Sequence, residues 1–267
     1  MHITVCIAPI IDPKLAAISL TVNDSGRGLK ADAFPKQLGP FDQAALETAL
    51  KLRGLNVAAE DVKISALLYA GPEDKTPAHD VMSRRIEDVV CIEPKADECW
   101  DIAAICQRFK SALTQLNGPS DLILVGREFG DCDDGVFPPL LAATLERPFV
   151  GHVHTIRRTG EDLLFSREFK NTNEDYHLAT PVVVSITNYP SNRLRYPLMK
   201  DVMAAKKRNI RVISADSAEK GRAINPIKLE ILSSRARDSG KHCVLAGTPK
   251  VQAKSLAEFL KSWTVAP

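Results

Sequence analysis

Five short apolar runs rich in β-branched residues are strung along the chain as far as Thr187, with helical patterns between them. They are His2–Ala8, Val62–Ala70, Glu87–Ile92, Asp121–Val125 and Pro181–Thr187. Continuous rather than alternating hydrophobicity predicts strands buried on both faces, as in parallel sheets. Between them, Asp42–Arg53 places Ala45, Leu46, Ala49 and Leu50 on one helical face, with Asp42 available as N-cap and Gly54 past the end. Trp100–Leu116 sets Ile102, Ile105, Phe109, Ala112 and Leu116 at helical spacing, and Val136–Leu145 reads as a shorter helix. The alternation predicts an α/β fold, a mainly parallel sheet flanked by helices on both faces. Residues 150–170 break the rhythm and read as a hairpin around Thr159-Gly160-Glu161-Asp162. After Ala215 the text is polar and irregular until an amphipathic helix, Val251–Trp263. Residues 1–215 are therefore expected to form one domain, and 216–267 an arm that reaches another subunit.

Charge excludes some partners. The net charge of +2 over 267 residues gives no global field that would drive the chain onto nucleic acid or an anionic membrane. No run approaches the ~20 apolar residues that span a bilayer, and the start of the chain lacks the pattern of a signal peptide. The six cysteines (6, 91, 99, 106, 132, 243) have no C-x-x-C spacing, and several lie in apolar runs. That usage fits a reducing compartment, so the expected location is cytoplasmic.

Ligands of open parallel sheets collect at the carboxyl ends of the strands. Those ends here carry Cys6–Asp12, Ala70-Gly71-Pro72 and Gly126–Gly135. The last is a loop of three glycines and three aspartates that opens a helix. Glycine lets backbone approach a ligand, and a helix start offers unpaired N–H groups to phosphate. The spacing is neither the Rossmann nor the Walker pattern, and Asp131-Cys132-Asp133-Asp134 lacks calcium-loop spacing. It reads equally as a solvated acidic turn. Cys132 beside aspartates would have its thiolate disfavoured, and Ser214–Ser217 forms no nucleophile elbow. His152 and His154 alternate along a predicted strand and should share a face, without a third metal ligand nearby. Trp100 reads as core and Trp263 as a docking residue.

Pro181–Arg208 joins a buried strand to a turn, Asn188–Asn192, then Arg193, Leu194, Arg195, Tyr196 and Pro197, and a short helix closing on Lys206-Lys207-Arg208. Cations in a last turn complement the helix dipole. This string, strand then Arg-Tyr-Pro then Met-x-Ala-Lys-Lys, resembles the β subunit of electron-transfer flavoproteins. Gly126, Asp131, Asp133 and Ala142 match that family's adenine-nucleotide loop, while Val136, Phe137 and Pro138 replace its Gln-Thr-Gly phosphate element. Gly39-Pro40-Phe41-Asp42-Gln43-Ala44-Ala45-Leu46-Glu47-Thr48-Ala49-Leu50 resembles its Asn-Pro-Phe-Asp helix start, with Gly39 in place of asparagine. The first strand and Asp12 resemble its opening, with Ala8 where lysine usually stands and Pro13 also altered.

The resemblance implies a Rossmann-like sheet of the adenine-nucleotide hydrolase type, with a C-terminal arm docking on an α subunit. It implies no bond chemistry but an electron-carrier subunit that walls a cleft for FAD shared with that α subunit, and that holds AMP structurally. Cys6, Gly39, Pro40, Phe41, Asp42, Ala70, Gly126, Arg127, Asp131, Asp133, Gly135, Val136 and Phe137 fall at the implied cofactor positions. Phe41 reads alternatively as a hydrophobic staple. Glu168 matches a glutamate that pairs with the α subunit, and otherwise reads as an exposed strand charge. Tyr189, Ser191, Arg193, Leu194 and Arg195 lie in the loop that meets a flavin-dependent dehydrogenase; Ser191 stands where some members carry an anchoring leucine. Electrons would pass on to a quinone-linked oxidoreductase. The alternatives are a ligand-free or bifurcating variant with a second FAD, or a stand-alone adenine-nucleotide-binding hydrolase or ligase. The last lacks a Ser-Gly-Gly-x-Asp loop, having Ala8-Pro9-Ile10-Ile11-Asp12 instead.

Overall fold

The computed structural model of the protein describes residues 1–14, 22, 34–54, 62–86, 88–95, 101–130, 135–159, 162–214 and 244–262. Asp131, Cys132, Asp133, Asp134, Trp100, Trp263 and the stretch 215–243 lie outside the described residues. The chain divides into two compact units, Met1–Glu230 and Ile231–Pro267.

The first unit is built on strands β1 (His2–Ile7), β4 (Lys63–Tyr69), β5 (Asp88–Ile92), β6 (Leu122–Gly126) and β10 (Val182–Ile186), each within a residue or so of the predicted apolar runs. They belong to a nine-stranded sheet completed by β7 (Phe149–Thr159), β8 (Asp162–Phe169), β9 (Thr172–Leu178) and β11 (Arg211–Ile213). Its order is β11-β5-β4-β1-β6-β10-β7-β8-β9. Pairing is parallel from β11 through β7, and β7, β8 and β9 run antiparallel. A separate ribbon pairs β2 (Ile10–Ile11) with β3 (Lys36–Gln37).

Burial on both faces explains the continuous hydrophobicity. Ile3, Val5 and Ile7 of β1 enter one core cluster with Ala45, Leu46 and Ala49 of helix α1 (Pro40–Gly54) and Val81 of α2 (Lys75–Met82). Cys6 and Ala8 enter the other, with Ile105 and Phe109 of α3 (Ile102–Leu113) and Leu141 of α4 (Phe137–Thr144). The chain next makes a short helix, α5 (Met199–Ala205); in the second unit α6 (Pro249–Ser262) carries exposed Val251, Leu256 and Leu260.

Three expectations need correction. Asp42 is not an N-cap, because α1 starts at Pro40, where a missing N–H costs nothing. Lys206, Lys207 and Arg208 are not in the last turn of α5, which ends at Ala205. Finally, β7 does not alternate simply. Its pairings shift between Val153 and Thr155, and His152 has φ +62°, so Val150, Val153 and Ile156 all reach the same core. The hairpin itself is as expected, with Thr159 opposite Asp162.

Candidate functional site

After β1 the chain moves to β4 on one side, whereas beyond β6 it continues on the other side through β7 and β10. The carboxyl ends of β1 and β6 therefore meet at a topological switch point, where a crevice forms. The N-terminus of α1 is clamped there. A Cβ on Gly126 would lie 2.9 Å from the Phe41 backbone carbon and 3.0 Å from the Asp42 nitrogen, so only glycine allows this approach. Asp42 is buried, and its Oδ2 accepts a hydrogen bond from the Ala8 amide at 3.2 Å. Gln43 closes the entry, donating from its backbone to the Gly39 carbonyl and from its side chain to the Leu38 carbonyl.

Phe41 is half-buried, and the Arg127 guanidinium stacks over its ring at 5.0 Å. The Arg127 amide donates to the Ile186 carbonyl at 2.9 Å, and its side chain pairs with Glu128 at 3.0 Å. Beside this pair lies a cavity of about 480 Å³ lined by Arg127, Glu128, Gly135, Phe149, His152 and Ser185, together with Pro139. The Ser185 hydroxyl accepts from the His152 amide at 3.0 Å. Burial, then Arg127 and Arg167, hold the His152 imidazole below its ordinary 6.5. It is neutral at neutral pH and can accept or donate one hydrogen bond.

Ala70 is buried at the end of β4, where the Gly71 amide donates to Asp74, which also pairs with Lys36 at 2.7 Å. Cys6 is wholly buried and turned toward α3; burial, then Cys106 and Asp42, push its thiol far up, so it is chemically silent. The Cys91 thiol is pushed up to about 12 by burial, then by Asp74.

Gly135, Val136 and Phe137 lead into α4, and this helix start does not fit a phosphate. Pro138 and Pro139 remove two of the first three N–H groups. The Phe137 ring is fully buried, stacked on Phe129 at 3.7 Å and 11°, and meets Phe109 edge-on at 5.2 Å. Aromatic packing thus occupies an element that would otherwise offer donors. The single small-to-aromatic signal, Phe137, was visible in the sequence; its partner Phe129 was not.

The loop after β10 is held from behind. Glu47 of α1, its side chain 6% exposed, takes Arg195 in a bidentate pair, Nη2 to Oε1 at 2.7 Å and Nε to Oε2 at 3.0 Å, and also accepts from the Arg195 amide. Lys51 donates to the Ser191 carbonyl and to Asn192 Oδ1, and buried Asn192 donates to the His154 carbonyl at 2.8 Å. The His154 ring stacks on Tyr189 at 4.9 Å, well apart in role from His152 in the cavity. Arg193 is exposed, and Leu194 packs partly on the core. Glu168 is exposed at the far end of β8. Sequence reasoning overlooked Glu47, Lys51 and Asn192 as anchors, although Glu47 and Arg195 each lay inside a quoted motif.

Residues 31–218 match the family profile described as the electron transfer flavoprotein domain. The chain belongs to the electron transfer flavoprotein β-subunit family. It is 29% identical over 239 residues to the electron transfer flavoprotein subunit beta of Mycobacterium leprae, covering 89% of this chain and 85% of that one. The Megasphaera elsdenii subunit beta is 26% identical over 257 residues, 90% of each chain. The Bacillus subtilis subunit beta is 23% identical over 232 residues, 84% of this chain and 86% of that one. Among the described residues, no helix of this family member is long and apolar enough to cross a membrane.

Proposed function

We propose that this chain is the small subunit of a heterodimeric electron transfer flavoprotein, carrying electrons from a flavin-dependent dehydrogenase toward a quinone-linked oxidoreductase. It forms one wall of the cleft for an FAD held mainly by the larger subunit. The observation that carries the reading is the Phe41–Arg127 pair, fixed by the close approach of Gly126 to α1 at the switch point. When bound, the flavin supplies the redox chemistry. The residues of this chain supply position and field. Phe41 offers an apolar edge, the half-exposed Arg127 guanidinium offers a cation, and neutral His152 and Ser185 offer hydrogen bonds without charge. A cation beside a flavin favours the form that gains negative charge on reduction.

At the second nucleotide position the departures favour an empty loop. Two prolines and a buried aromatic stack at the start of α4 support a variant that carries no AMP and no second FAD. Glu168 and the arm 216–267 are assigned to the larger subunit, and the loop Tyr189–Arg195 to the dehydrogenase.

Co-purification with the larger subunit tests this. About one FAD per heterodimer is expected, with no AMP released on denaturation. Replacing Arg127 with Gln should lower the flavin reduction potential while leaving the flavin bound. A chain that never associates with the larger subunit, or a heterodimer without flavin, would overturn the reading; released AMP would overturn the empty loop alone.

A further inference from the structure

Arginines converge on a second depression, at the end of α1 opposite Phe41. It holds about 210 Å³ and is lined by Arg53, Arg84, Arg85 and Arg195, with Leu50 and Leu198 among its apolar walls. That is below the roughly 300 Å³ at which pockets for drug-sized ligands begin, so its occupant is small.

The cations here are incompletely answered by protein groups. Arg195 has Glu47, Arg85 has Asp201 at 3.0 Å, and Arg84 has Asp80 at 2.7 Å. Arg53 has carbonyl oxygens, those of Arg84 and Arg85, each at 2.9 Å. The Arg84 side chain is only 7% exposed, yet its Nε is buried without a hydrogen-bond partner. A buried N–H without an acceptor is costly and calls for an explanation. Burial foremost, and then the neighbouring charges of Arg195 and Arg85, depress the Arg53 guanidinium.

We propose that this depression binds the anionic head, carboxylate or phosphate, of a small ligand whose apolar part lies against Leu50 and Leu198. The anion would accept from Arg84 and balance Arg53, and the planar forks of the guanidiniums suit a two-oxygen head. Its position matters because the same pocket touches α1, the end of α2 and the segment Arg195–Asp201. Occupancy would therefore add a shared anchor to three elements already joined by the Glu47–Arg195, Arg53–carbonyl and Arg85–Asp201 contacts. None of its residues belongs to the Phe41–Arg127 wall, and of its lining only Arg195 is shared with the loop assigned to the dehydrogenase, so the inference does not depend on the electron-transfer reading.

The test uses the purified full chain, with its larger subunit where the two associate. Thermal unfolding is followed against rising sodium butyrate and sodium phosphate, each compared with sodium chloride at equal ionic strength. One of the two anions should raise the midpoint saturably, and calorimetric titration should give a single site. Butyrate acting alone identifies a carboxylate head, and phosphate acting alone a phosphate head. Changing the exposed Arg85 to Gln should weaken binding roughly tenfold with the unfolding transition in the absence of anion retained, and Arg53→Met should weaken it more. No midpoint shift beyond that of chloride overturns the proposal. So does a shift of equal size and midpoint concentration in the wild type and both variants.

Discussion

At the scale of single residues, Gly126 and Glu47 do more to shape the site than the side chains that face solvent. An alanine at 126 would drive its Cβ into the backbone of Phe41. Gly126→Ala should lower stability by about 1–3 kcal/mol in urea unfolding, with the Phe41–Arg127 pair displaced. Glu47→Gln should cost about 1.5–3 kcal/mol, the range of hydrogen bonds to charged groups. It should also speed hydrogen exchange at the Arg195 amide, which donates to that carboxylate. His152 gives a pH prediction. Its folded value lies below 6.5, so the unfolded chain binds the extra proton first. Stability is then full above about 6.5 and declines as pH falls through the folded value. Proton NMR of His152 should show a midpoint below 6.5 that rises in Arg127→Gln, since Arg127 is one of the causes. The sequence showed both halves of the Glu47–Arg195 pair, but not that they meet. Their separation of 148 positions is closed only by the sheet order that lays α1 against the loop after β10.

At the scale of elements, the buried parallel strands were legible because burial on two faces leaves an unbroken apolar run. The elements that escaped notice lack that mark. β9 is polar almost throughout, as a sheet-edge strand can be, and β11 has only three residues. α2 carries Pro77, which argues against a helix until it falls in the first turn, where no N–H is needed. α4 was legible as a helix but its consequence was not, since the stacking of Phe129 on Phe137 is a tertiary contact that no periodicity announces. Phe137→Ala should destabilise by about 3–5 kcal/mol, read by denaturant midpoint, because a fully buried ring leaves a cavity.

At the scale of the whole sheet, the strands that follow the switch point carry it well past the site, and both of its ends have a defined chemistry. One end is β11, too short to template another chain. The other is β9, whose exposed positions are Thr172, Asn173, Asp175 and His177, with Glu174 paired to Arg167. An open row of backbone donors and acceptors invites a second copy to add a strand, and charge along it deters that addition. The polarity that hid β9 from sequence reading thus guards this edge of the nine strands found among the described residues. Asp175→Val combined with His177→Val should leave the monomer's unfolding midpoint little changed yet bring on concentration-dependent light scattering. If so, the molecule's colloidal limit is set by two side chains of a single edge strand.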